Sequence, residues 1–102
     1  MERTVYEASS GSKKWFDREK AEEFDEGKNW DGSNNISVAT GSQTEHEILY
    51  LTRNGTWVKN EWSQWQGSIQ TWREISVDEA AQWLMENGHP LPDGFNAEDY
   101  EG

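Results

Sequence analysis

The stretch Glu47-Ile48-Leu49-Tyr50-Leu51-Thr52-Arg53-Asn54-Gly55-Thr56-Trp57-Val58-Lys59-Asn60-Glu61-Trp62 decides how this chain folds. Residues 47–53 are rich in β-prone apolar and aromatic side chains, Asn54-Gly55 is a turn dipeptide, and residues 56–62 read as the returning strand. Asn-Gly supplies the two positive-φ positions of a type I′ turn. With a two-residue loop, Arg53 faces Thr56 and Leu51 faces Val58. Strand side chains alternate, so Leu49, Leu51, Val58 and Trp62 then share one face, and Ile48, Tyr50 and Trp57 the other. Both faces are partly apolar. The reading predicts a sheet covered on one side and aromatic on its exposed side.

Downstream, residues 63–68 form a polar connection and residues 69–75 a third strand. Ser76 with Glu79 three residues on is a capping box, and Ile75 and Ala80 are spaced for a hydrophobic staple. Val77, Ala80, Ala81 and Leu84 make one helical stripe. Gly88 ends that helix, and Pro90 and Pro92 prevent its continuation. Upstream, residues 4–8 and 13–16 form a hairpin around Ser9-Ser10-Gly11-Ser12. Asp17 reads as the N-cap of a helix over 18–26, with Ala21 and Phe24 on one face and Gly27 as its stop. Residues 29–35 are turn-rich, and residues 36–40 form a short strand. The order β-β-α-β-β-β-α predicts an α+β domain: an antiparallel sheet of about four or five strands with both helices on one face. The domain spans residues 1–92, and 93–102 form an acidic, loosely held tail.

At 102 residues the chain is long enough for one self-sufficient core. Its 32% hydrophobic content and net charge of −11 would by themselves favour disorder. Seven Trp, three Tyr and three Phe reverse that expectation, because aromatic side chains bury large areas. There is no cysteine, which excludes disulfides and thiolate metal sites. No apolar run is long enough to cross a bilayer, and residues 1–7 do not resemble a secretion signal, so a cytoplasmic location is expected.

The central block resembles a group of small uncharacterised Trp-rich bacterial proteins. The resemblance is carried by Leu49-Tyr50-Leu51-Thr52, Gly55-Thr56-Trp57-Val58 and Trp62-Ser63-Gln64-Trp65-Gln66-Gly67. Trp30-Asp31-Gly32, residues 39–43, Glu74-Ile75-Ser76, Glu79-Ala80-Ala81 and Trp83-Leu84 extend it over residues 15–88. It implies an intracellular bacterial protein. It carries no activity, cofactor or catalytic residue with it.

The residues offer little for catalysis. Among possible bases, His46 lies between Glu45 and Glu47, but alternation in a strand turns it away from both, so it reads as a surface histidine. His89 follows Gly88 and reads as a cation near the negative helix end. Residues 27–38 fail as a calcium loop, because Gly27 and Val38 occupy the two key ligand positions. Phosphate-loop glycine motifs are absent. No enzyme activity, no cofactor and no metal are therefore expected. Seven acids and no Lys or Arg lie between Asp78 and Gly102, which disfavours direct nucleic-acid binding and favours a basic partner.

Trp57, Trp62, Trp65 and Trp72 lie within sixteen residues, interleaved with Ser and Gln. The expected binding set is Tyr50, Trp57, Trp62, Trp65 and Gln66 with the acids Asp78, Glu79 and Glu86. Its expected role is a non-catalytic acidic protein-interaction module, for instance an inhibitor of a basic nucleic-acid-binding protein. A small-ligand or carbohydrate module built on the Trp and Gln side chains is the alternative, and a purely structural role is the third.

Overall fold

Among the described residues there are eight strands and one α-helix: β1 (Arg3–Glu7), β2 (Lys13–Asp17), β3 (Glu22–Asp25), β4 (Lys28–Trp30), β5 (Asn35–Ser37), β6 (Glu45–Leu51), β7 (Trp57–Ser63), β8 (Thr71–Ile75) and α1 (Val77–Glu86). They come from a computed structural model that describes residues 2–30, 32, 35–42, 44–64 and 69–91. The expected tail at 93–102 and the residues Trp65 and Gln66 lie outside the described residues.

Six strands form one sheet in the order β2-β1-β8-β7-β6-β3, and β4 pairs with β5 in a separate ribbon. The β1–β8 pair is parallel and the other pairs are antiparallel. The architecture is therefore a mostly-β mixed sheet with a single α-helix. It replaces the expected α+β arrangement of an antiparallel sheet under two helices.

Topology forces the sheet to curl. Its two edges, β2 and β3, are consecutive in the chain and joined by residues 18–21 alone. Six flat strands would separate the edges by about 24 Å, whereas the joining chain reaches at most about 18 Å. The concave face closes on itself accordingly, and Phe16 of β2 meets Tyr50 of β6 at 5.6 Å between ring centroids.

The expected helix over 18–26 is the main local correction. Asp17 does cap a turn, accepting from the Glu19 amide at 3.1 Å. That turn is a single 3-10 turn, Arg18–Lys20. The chain then runs out as β3, with Phe24 opposite Leu49. The free edge of β6 offers a full ladder to this segment, which outweighs its weak helical pattern. Exposed Glu22, Glu23 and Asp25 make β3 a charged edge strand, which discourages further pairing. The turn-rich segment after Gly27 is also more ordered than expected, since Lys28–Trp30 pairs with Asn35–Ser37.

The central hairpin forms, but with its register shifted by one. Leu51 faces Trp57, and Tyr50 faces Val58. Thr52 is bonded to Thr56 (amide to carbonyl, 2.9 Å), and the Gly55 amide bonds the Thr52 carbonyl at 2.9 Å. The loop thus holds Arg53, Asn54 and Gly55, and Gly55 alone takes a positive φ, +87°. A three-residue loop with glycine in the left-handed position replaces the type I′ turn. The shift exchanges the faces of β7. Trp57 joins Leu49 and Leu51 on the helix side, and Val58 joins Tyr50 on the concave side.

Two cores result. Leu49, Trp57 and Ile75 pack against Ala80, Trp83 and Leu84 of α1. Tyr6, Ala8, Phe16, Tyr50 and Val58 fill the curl, with Trp72 at its margin. The face expected to be aromatic and exposed is covered by the sheet itself. The helix begins as expected, with Ser76 Oγ accepting from the Glu79 amide at 3.1 Å. It ends at Gly88, φ +78°, with His89 N–H bonded to the Leu84 carbonyl and Gly88 N–H to the Met85 carbonyl, a Schellman closure. Val77, expected in the buried stripe, is 53% exposed, and Trp83 takes the buried role.

Candidate functional site

Charged side chains gather at the open end of the β6–β7 hairpin. Glu47 of β6 stands directly opposite Glu61 of β7. Like charges facing each other across a ladder oppose strand pairing. Here they are partly compensated. Glu61 accepts from Arg73 Nε at 3.1 Å. Glu47 accepts from Trp83 Nε1 at 2.9 Å and lies 3.8 Å from Lys59 Nζ. Lys59 and Arg73 also converge on Glu79, at 3.5 Å and 3.6 Å.

Glu47 and Glu61 border a cavity of about 530 Å³ that also takes in Glu45, His46, Trp62 and Ile69. No Lys or Arg among the described residues lines it. On the other side of His46 and Trp62 lies a second cavity of about 550 Å³, bordered by Asp25, Glu26 and Lys28.

Between the two cavities His46 is held firmly. Its Nδ1 lies 2.6 Å from Glu26 Oε1, and both side chains are largely buried. Its ring packs on Trp62 at 5.4 Å. Nε2 is covered and has no hydrogen-bond partner among the described residues. The expectation of a surface histidine is corrected by this pair. Alternation does turn His46 away from Glu45 and Glu47, but a carboxylate twenty residues upstream receives it. Sequence reasoning missed Glu26 because only the β3–β6 pairing brings it there.

Glu26 is positioned by a close backbone approach just after it. Gly27 N–H donates to Asn87 Oδ1 at 2.8 Å, and the Gly27 carbonyl accepts from Val38 N–H at 2.8 Å. A Cβ on Gly27 would stand 3.2 Å from both the Asn87 carbonyl oxygen and Val38 Cγ2. Glycine is used here for close packing, not as the stop of a helix. His89 lies just after the end of α1, as expected, and its ring is enclosed by aromatic neighbours. It stacks on Trp83, meets Phe24 edge-on, and its Nε2 contacts the Asp25 carbonyl oxygen.

The expected binding set is dispersed by the fold. Trp57, 4% exposed, is in the helix-side core, and Tyr50, 6% exposed, is in the concave core. Trp72 is half-buried against Tyr50 and Phe16. Among the described residues of that group only Trp62 borders the acidic cavity, and Asp78, Glu79 and Glu86 are exposed on α1. Burial pushes the Tyr50 hydroxyl above its ordinary range, aided by Glu23. Asp17 is held below its ordinary value, first by the Glu2 amide, which donates to Oδ1 at 3.1 Å.

No protein-family model, curated protein or solved structure matches the chain. Among the described residues no helix is long and apolar enough to cross a membrane.

Proposed function

We propose that this protein is a non-catalytic binding module whose acidic cavity takes a basic side chain from a protein partner. The carrying observation is the facing pair Glu47 and Glu61, joined by Glu45 around one cavity that Trp62 also borders. A lysine or arginine inserted there gains several carboxylate acceptors together. The Glu26–His46 pair, packed on Trp62, holds the strand ends that carry these carboxylates and so lowers the ordering cost of binding. The net charge of −11 adds long-range attraction for a basic protein, including one that binds nucleic acid.

The test is titration with an arginine-rich peptide at two salt concentrations. Glu45→Gln combined with Glu61→Gln is expected to weaken binding roughly tenfold, in line with the loss of charge-assisted contacts. Glu22→Gln, on the remote edge strand, serves as the control for overall charge. Equal losses in the control and the double variant, or binding indifferent to salt, would defeat the reading.

A further inference from the structure

At the opposite end of the β6–β7 hairpin the charge is reversed. A cavity of about 470 Å³ opens between edge strand β2 and the β6–β7 turn. Lys13, Lys14, Lys20 and Arg53 line it, four of the nine Lys and Arg in a chain of net charge −11. Its one carboxylate, Asp17, already accepts the Glu2 and Glu19 amides on Oδ1. Lys13 is drawn toward Glu7, at 3.5 Å. Lys20 feels the Asp17 carboxylate, whose pKa its charge helps to lower, whereas Lys14 and Arg53 form no ion pair among the described residues. Four cations around one carboxylate, in a protein with more than twice as many acids as bases, leave a local excess of positive charge placed for an added anion.

The same cavity offers an aromatic wall. Trp15 borders it and is 53% exposed, with the Arg3 guanidinium 4.8 Å from its ring centre. Asn54, on the turn, adds a side-chain amide that can both donate and accept. A bare inorganic anion can use the cations and the amide but has no use for an exposed indole. A ligand with phosphate at one end and a planar heterocycle at the other uses all three. The volume falls in the usual range of small-ligand sites, about 300–1,000 Å³.

We infer that this cavity binds a nucleoside phosphate, with its phosphates among Lys14, Lys20 and Arg53 and its base against Trp15 and Asn54. The site is independent of the acidic cavity, since none of its residues is shared with that one. Calorimetric titration of the full chain at low ionic strength tests it, using ADP, pyrophosphate and adenosine as separate probes. ADP is expected to bind more tightly than either fragment. Arg53→Gln and Lys14→Gln should each weaken ADP roughly tenfold, the loss of one charge-assisted contact. Trp15→Ala should weaken ADP while leaving pyrophosphate unchanged. All three side chains are exposed, and a circular dichroism spectrum matching the parent checks that each variant is folded. No ADP binding at millimolar concentration overturns the assignment. So does ADP binding that is no tighter than pyrophosphate and indifferent to Trp15→Ala.

Discussion

The two ends of the β6–β7 hairpin carry opposite charge. At the open end Glu45, Glu47 and Glu61 border one cavity with Trp62. At the turn end Arg53 meets the lysines of β2 and of the 3-10 turn beside Trp15. An average charge of −11 describes neither end. The open end gets its carboxylates from neighbouring positions on two paired strands. The turn end gets its cations from segments about forty residues apart, which the curl of the sheet brings together. Local register therefore builds the first site and tertiary closure the second.

The largest perturbation should abolish both ends together. Leu49, fully buried, lies mid-strand on β6 under α1. Leu49→Ala is expected to cost about 3 kcal/mol in urea unfolding. Near the new midpoint the peptide and ADP should be lost in parallel. Survival of one site without the other would show that the hairpin is not their common support.

A smaller change separates them. Gly55 holds φ at +87°, and a Cβ there meets nothing within 4 Å, so Gly55→Ala costs backbone strain alone. That is about 1.5 kcal/mol. ADP affinity should fall as Arg53 and Asn54 shift, while binding of the arginine-rich peptide stays at the parent value. Equal effects on both would blur the distinction between the ends.

The smallest expected effect is confined to the cationic end and depends on pH. The Asp17 carboxyl is held below its ordinary value of 3.8 by the Glu2 and Glu19 amides. A lowered value means that its contribution to stability is complete above 3.8 and is lost as pH falls through the folded-state value. The Tm difference between parent and Asp17→Asn should be constant near neutrality and close progressively below 3.8. A gap that persists unchanged at the acid end would place the effect in packing instead of charge.

Several features could be read from local sequence. Ser76, Glu79 and Gly88 mark the ends of α1 because capping depends on residues three or four apart. The N-terminal hairpin and the β6–β7 pair were visible in alternation and turn residues. The loop was misread by one residue, since Asn-Gly also suits a three-residue turn whose only left-handed position is Gly55. That single step moved Trp57 from an expected contact surface into the core. The Glu26–His46 pair and the parallel β1–β8 contact left no local trace, as each joins distant segments.

The sequence by itself determined a folded, aromatic-rich, strongly acidic chain with one capped helix and a central hairpin. Those properties follow from composition and from interactions within a few residues. Tertiary structure alone decided that residues 22–25 become an edge strand, that the sheet rolls up around Tyr50 and Phe16, and that the scattered lysines converge on Arg53. The reason is geometric. Backbone groups of an unpaired strand seek any available ladder, and a short link between the two outermost strands leaves a six-stranded sheet no flat solution.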